Sequence, residues 1–158
     1  MSQEDTNQRI AYFRKLAETG MEKAARGVTR WLDGRLKEIE EGHLVGEFVV
    51  RDDMVNPMNV LHGGAAAMIM DEMMGLMVYL LGFPNAHTSV NLNCDFLHPA
   101  PVGSVLTATA DVIRKGKNIV HCECRIEDSE GRLIAKAASN LIITPVPIDL
   151  PGQKIHSA

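Results

Sequence analysis

The segment from Ala65 to Leu81 constrains the fold more than any other part of the chain, because it consists almost entirely of Ala, Met, Ile, Leu and Val. Asp71 and Glu72 sit in its middle. Two adjacent carboxylates at the centre of a bilayer would be costly, whereas a buried helix of a folded domain tolerates an acid at a site. We therefore interpret the segment as a core helix, with no membrane partner. Because it is apolar on nearly every side, one sheet cannot cover it, and we expect a partner subunit as a second surface.

Runs typical of β-strands lie on both sides of this helix. Two precede it and join near Gly42, and the first run after it alternates apolar and polar residues with a period of two. The predicted strands cover residues 36–41, 44–51, 88–96, 104–113, 118–126 and 133–143. This order predicts an α+β fold in which an antiparallel β-sheet wraps round one long central helix.

The predicted domain covers residues 35–144. Before it, residues 1–34 carry an apolar stripe that includes Phe13 and follows a cap at Thr6, which predicts a helical leader packed on the domain. After it, residues 145–158 carry several prolines, and we expect them to be extended or disordered.

The charge of the chain excludes some partners. The 158 residues have a formal net charge of −4, without the excess of Lys and Arg that a nucleic-acid groove needs. Charged residues interrupt the first twenty positions and leave no apolar core for a secretory signal, so we expect a cytoplasmic protein.

The cysteines and histidines show no spacing typical of a metal site. Cys122 and Cys124 alternate with polar residues in a predicted strand and are expected to be buried free thiols. A metal pair is the alternative, but no second CxxC and no HExxH pattern supports it. We expect neither a metal nor an organic cofactor.

The loop before the core helix ends in His62-Gly63-Gly64. Glycine lacks a Cβ, so a ligand can approach the backbone closely, and the first turn of a helix presents free N–H groups and a positive dipole end. Such a place can hold a developing oxyanion. The alternative is that Gly63 and Gly64 serve only a tight joint between loop and helix.

The combined pattern is more specific than any single motif. It consists of Asn56-Pro57, Leu61-His62-Gly63-Gly64, Asp71 on the helix and Ser89 at the head of the next strand. With this pattern the chain resembles the hotdog-fold acyl-CoA thioesterases, in the branch of the phenylacetyl-CoA and hydroxyphenylacetyl-CoA thioesterases. The resemblance extends from about Arg35 to Ile143.

The resemblance implies a role for each matching residue. Gly63 would donate its N–H to the thioester carbonyl, and His62 and Asn56 would hold that loop in shape. Asp71 would act as nucleophile or general base, and Ser89 would help to position the water.

The sequence departs from the family pattern at two places. Asn59 stands where a glycine is frequent, and Met73-Met74 follow the acid where relatives carry small polar residues. Met74 is a candidate for the acyl pocket because methionine is flexible and polarizable, and core filling is the alternative.

Candidate contacts with coenzyme A lie at Gly64 and at the turn formed by Arg114, Lys115 and Lys117. The three cations could bind the CoA phosphates. A solvated hairpin tip is the alternative interpretation.

The predicted function is hydrolysis of an acyl-CoA to free acid and CoA by a homodimer or homotetramer. The alternatives are a hydratase or dehydratase acting on enoyl or hydroxyacyl thioesters, and a non-catalytic acyl-CoA binding module. Gly63 and Asp71 are eight positions apart, or roughly 12 Å along one helix, so one thioester carbon cannot contact both. We therefore expect each active site to be shared between two chains.

Overall fold

The computed structural model of the chain describes residues 3–19 and 26–148. The helices are α1 (Gln3–Thr19), α2 (Gly27–Leu32) and α3 (Gly63–Leu80), with a 3-10 turn at Asp52–Met54. The strands are β1 (Arg35–Glu40), β2 (His43–Val49), β3 (Asn85–Phe96), β4 (Val105–Lys115), β5 (Ile119–Asp128) and β6 (Leu133–Pro147). All six predicted strands and the long helix are present, with ends that differ from the predicted ones by a few residues.

The six strands form one sheet in the order β1-β2-β4-β5-β6-β3, and every neighbouring pair is antiparallel. The hairpins at Gly42 and Gly131 use positive φ angles of 78° and 76°, which a glycine adopts without steric cost. The predicted α+β architecture is confirmed, since the sheet curves round α3.

The core lies between α3 and the inner face of the sheet. The methionines of α3 at positions 70, 73, 74 and 77 are buried there. Among the helices that the structure describes, α3 is the one long and apolar enough to cross a membrane by length and composition. In the fold it is the central helix, and the sheet covers one side of it.

Burial determines the chemistry of the two strand cysteines. Cys122 and Cys124 point into the core from β5, as the alternation predicts, and both thiols are free. Burial raises the pKa of each thiol to about 12, so neither forms the reactive thiolate at neutral pH.

The leader packs on the domain as predicted, but Thr6 does not cap it. Helix α1 begins at Gln3, and the Thr6 hydroxyl donates instead to the Leu81 carbonyl at the end of α3 (3.1 Å). Gly82 follows with φ +76°, and a Cβ there would lie 2.5 Å from the Thr6 hydroxyl. Residues 1–2 and 20–25 of the leader lie outside the described residues.

The last strand is longer than predicted. Strand β6 continues through Pro147, four residues beyond the predicted strand end at 143, and the Ile148 N–H donates to the Pro84 carbonyl (2.9 Å). This outer part of β6 can contain proline because it lies at a strand end. The remaining tail, residues 149–158, lies outside the described residues.

Candidate active site

Asn56 organises the loop that leads into α3. Its side-chain oxygen accepts hydrogen bonds from the N–H groups of Met58 (2.9 Å) and Val60 (3.4 Å). Its own N–H and carbonyl bond to Val60 and Asn59. Four hydrogen bonds from one residue fix a tight loop whose end sets the position of the first helical residue.

Asn59 adopts the left-handed conformation, with φ 59°. Glycine adopts this region freely, and asparagine is among the few other residues that tolerate it. The conformation explains why asparagine can stand at a position where a glycine would be expected from the family pattern. The departure noted in the sequence therefore leaves the loop geometry intact.

His62 is the N-cap of α3. Its Nδ1 accepts the Gly64 N–H (2.8 Å), which places the proton of the neutral ring on Nε2. The Gly64 N–H is thus occupied by the cap and is not free for coenzyme A. The Gly63 N–H, in contrast, has no acceptor among residues 3–19 and 26–148.

A cleft of about 360 Å³ opens beside Gly63. The Phe96 ring forms part of its wall, 3.4 Å from where a Gly63 Cβ would lie. The segment that follows β3, residues 97–99, completes the rim. Helix polarity and the free N–H make this cleft a place where a developing negative charge on oxygen is stabilised.

Asp71 lies in a second cleft, of about 400 Å³, between α3 and β3. The Ser89 hydroxyl donates to its carboxylate (2.9 Å). Both side chains are exposed in the single chain. The structure thus brings this predicted pair together, and the hydrogen bond orients one carboxylate oxygen and leaves the other open to the cleft.

The sequence did not single out His87 and Tyr79, which also line the Asp71 cleft. His87 Nε2 lies 2.9 Å from the Gly75 carbonyl and donates to it, and burial lowers the pKa of the ring. Burial also raises the pKa of the Tyr79 hydroxyl. No spacing in the sequence marks these two residues, because they meet only through the packing of β3 on α3.

Glu72, which follows Asp71, is hydrogen-bonded to another segment of the same chain. The Thr29 hydroxyl of α2 donates a short hydrogen bond to its carboxylate. The described part of the leader, residues 3–19 and 26–34, makes no such hydrogen bond to its neighbour Asp71. The two adjacent acids therefore differ in environment, and only Asp71 is paired with Ser89.

The two clefts share no lining residue. Gly63 and Asp71 stand eight positions apart on the same helix, or roughly 12 Å along its axis. The structure therefore groups the predicted residues into two half-sites, one with Asn56, His62 and Gly63 and one with Asp71 and Ser89.

Comparison with known proteins identifies the family. The model of the thioesterase superfamily matches residues 58–135, which include both half-sites apart from Asn56. Human acyl-coenzyme A thioesterase 13 is 30% identical over 98 residues, which cover 60% of this chain and 69% of that protein. The chain belongs to the thioesterase superfamily. It is a hydrolase that acts on thioesters.

Solved structures of thioesterases have the same fold, which confirms the predicted hotdog architecture. The E. coli PaaI protein from the phenylacetic acid degradation operon superimposes with a TM-score of 0.74 at 21% identity, covering 91% of this chain and 99% of that one. A thioesterase of Streptococcus pneumoniae solved with coenzyme A gives a TM-score of 0.68 at 22% identity, covering 73% and 88%.

In this thioesterase the predicted cations lie at the β4–β5 turn. Ile119, just after the turn, is in register with Ile142 of β6, which pairs with Thr88 of β3. The turn is therefore at the same end of the sheet as the Asp71 half-site. Lys115 is ion-paired with Glu41 (2.9 Å), which leaves Arg114 and Lys117 as the freer cations of the turn.

Met74, the candidate for the acyl pocket, lies in the core of the single chain. Its side chain is 0% exposed and lines neither of the two clefts, which favours the core-filling alternative, and its role in substrate binding stays a prediction. Met74 lies three positions beyond Asp71, and its burial places it in the core cluster of α3 and the sheet.

Proposed function

We propose that this thioesterase hydrolyses acyl-CoA to free acid and CoA at sites shared between two chains. The observation that carries the proposal is the pair of separate half-sites. One presents a free N–H at a helix N-terminus, and the other presents a carboxylate held by a serine hydroxyl. A thioester needs both within about 3 to 3.5 Å of its reacting atoms, so the two halves come from different chains.

Coenzyme A is supported as the leaving group by relatives and by the charges of the chain. The relatives include a human acyl-coenzyme A thioesterase and a pneumococcal thioesterase solved with coenzyme A. Arg114 and Lys117 extend from a turn at the Asp71 end of the sheet, where cations can meet phosphates.

Asp71 starts the chemistry in either of two ways. As a general base it takes a proton from water, and the water oxygen adds to the thioester carbon. As a nucleophile its carboxylate adds directly and gives an acyl-enzyme that water then cleaves. In both, the carbonyl electron pair moves onto oxygen at the Gly63 N–H of the other chain. Collapse breaks the C–S bond, and the CoA sulfur leaves and takes up a proton.

His62 favours hydrolysis over hydration or dehydration. Those reactions need a base aimed at the acyl chain, usually a histidine. Here the Nδ1 of His62 is occupied by the Gly64 N–H. The chemistry proposed for Asp71 requires no metal or organic cofactor, and we propose that the protein acts without one, in the cytoplasm.

Strand β3 supports a dimer as the smallest active unit, from which a tetramer can assemble. Among residues 3–19 and 26–148, no strand pairs with its outer edge, and unpaired edges are templates for pairing with another chain. Ser89 lines the Asp71 cleft and Phe96 lines the Gly63 cleft. The two residues are seven positions apart on β3, or about 23 Å at roughly 3.3 Å per residue. Antiparallel pairing of two β3 strands about their middle would place Ser89 of each chain near Phe96 of the other.

The function is tested by following free thiol with a panel of acyl-CoAs. Hydrolysis releases CoA and raises the thiol signal steadily, whereas a dehydratase leaves the thioester intact. Saturable CoA binding without turnover on any member of the panel would instead indicate a binding module and refute the proposal.

Sharing of the site is tested by co-refolding equal amounts of Gly63→Pro and Asp71→Asn chains. In a mixed dimer both defects fall in one site and the other site is intact. Random pairing should therefore restore about a quarter of wild-type activity, since half the dimers are mixed and half their sites are whole. No recovery, with mixed dimers shown by mass spectrometry, would place the whole site in one chain.

A further inference from the structure

The Asp71 cleft follows one face of α3. Asp71, Gly75 and Tyr79 are spaced four residues apart and all line it. A Cβ added at Gly75 would have nothing within 4 Å, so the cleft is open at its centre. Tyr79 is the largest side chain of this face and stands at the end away from Asp71.

The leader helix α1 holds Tyr79 in place. The Arg9 guanidinium lies over the Tyr79 ring, 4.4 Å from its centroid, and donates to the carbonyls of Tyr79 (2.7 Å) and Phe83 (2.9 Å). Phe13, one turn further along α1, meets the same ring edge-on at 6.0 Å. Tyr79 is thus clamped by two residues of the leader.

Arg9 is an unusual residue for such a place, because its side chain is 2% exposed. A buried guanidinium is costly unless its donors are satisfied, and its Nε has no partner within the described ranges. The two carbonyl bonds and the ring contact therefore carry its stabilisation. All of these contacts are made with Tyr79 and Phe83, so they fix the C-terminal end of α3 and the residues that follow it.

We propose that the leader helix limits the length of the acyl group by clamping Tyr79 as the end wall of the acyl pocket. This inference rests on the proposed hydrolysis at Asp71. The stripe from Asp71 to Tyr79 spans about 12 Å along the helix. An extended alkyl chain advances roughly 1.3 Å per carbon–carbon bond, so about nine carbons fill the cleft before they meet the ring.

Three variants and one control test the clamp. Tyr79→Ala removes the wall, and Arg9→Met and Phe13→Leu each remove one half of the clamp. Arg14→Met is the matched control, because Arg14 also anchors α1 through a carbonyl, but that carbonyl is Ile39 of β1 (2.8 Å). The measurement is kcat/KM for tetradecanoyl-CoA divided by kcat/KM for octanoyl-CoA, with thermal unfolding to confirm the fold of each variant.

We expect the wild type to prefer octanoyl-CoA. The ratio of kcat/KM values should rise by about tenfold in Tyr79→Ala, because the variant no longer has the ring that clashes with the longer acyl chain. It should rise by a smaller factor in Arg9→Met and Phe13→Leu. Arg14→Met should keep the wild-type ratio. If Arg9→Met does not fold, Phe13→Leu still reports on the clamp.

An unchanged ratio in folded Tyr79→Ala would overturn the inference, as would an equal shift in Arg14→Met and Arg9→Met. A wild type that hydrolyses both chains equally, or only an aromatic acyl-CoA, would overturn it too. Thiol release from any acyl-CoA by the wild type tests the proposed function separately. The two failures are therefore distinguishable.

Discussion

Replacing Gly63 with proline removes one N–H and very little else. Gly63 is the first residue of α3, where proline is well tolerated because that N–H has no intrahelical acceptor. Proline also requires an extended residue before it, and His62 already has φ −65° and ψ 135°. The helix and its cap should therefore survive the substitution.

The catalytic cost of the change follows from the role of the lost donor. Removal of one oxyanion donor lowers kcat by about 100- to 1,000-fold, or about 2.7–4 kcal/mol in the barrier. We expect a loss of this size for Gly63→Pro in a thiol-release assay, with an unfolding temperature close to that of the wild type.

Gly63→Ala is the matched control because alanine keeps the N–H. Its Cβ would lie 3.4 Å from the Phe96 ring, which is an ordinary van der Waals contact. We expect a loss smaller than about tenfold, or 1.4 kcal/mol. Equal losses of activity in Gly63→Pro and Gly63→Ala would show that the added side-chain volume, and not the lost N–H, lowers the activity. A folded and fully active Gly63→Pro would refute the oxyanion role.

Three further predictions concern other parts of the chain. Asp71→Asn should lower kcat by about 100-fold or more with acyl-CoA binding retained, and a loss below about tenfold would remove Asp71 from the mechanism. Ser89→Ala loses one hydrogen bond to Asp71 and should lower kcat by only about 5- to 10-fold. Met74→Ala should lower the free energy of unfolding in urea by about 2–5 kcal/mol without changing KM, and a changed KM would return Met74 to the substrate pocket. The Asp111 carboxylate raises the pKa of His43 through a 2.6 Å hydrogen bond, so this pair stabilises the fold below the ordinary histidine pKa and loses its effect as the pH rises through the raised value. Asp111→Asn should therefore lower the unfolding temperature more at pH 5 than at pH 9, and an equal loss at both would contradict the assignment.

The fold was predictable because its signals are local. Alternation with a period of two marks strands, and the run from Ala65 to Leu81 fits one long helix better than any strand. The turn at Asn56-Pro57 and the helix start at His62 were predictable for the same reason, since Asn56 bonds to Met58 and Val60 and His62 bonds to Gly64, all within four positions. The Asp71–Ser89 pair spans 18 positions and rested on the family resemblance.

The parts of the site that were missed depend on contacts between distant segments. Arg9 meets Tyr79 across 70 positions, and Thr29 meets Glu72 across 43. Neither contact has a signature in spacing or composition, because each depends on how the leader lies against α3. The sequence of the leader gave no sign of a catalytic or binding role. Its side chains nevertheless contact Tyr79 and Glu72, two residues that line the Asp71 cleft.

Strand β3 is the element where the sequence pattern and the single chain differ most. The alternation of residues 88–96 predicts a half-buried strand, yet Val90 is 59% and Phe96 56% exposed. The ladder to β6 is also irregular between Ser89 and Asn91. An edge strand with exposed apolar side chains is an aggregation hazard unless another chain covers it. In the proposed dimer, pairing of two β3 strands covers this edge and completes both half-sites with the same contact. The proposed dimer would thus account for the period of two in β3, because the apolar residues that are exposed in one chain would contact the second copy.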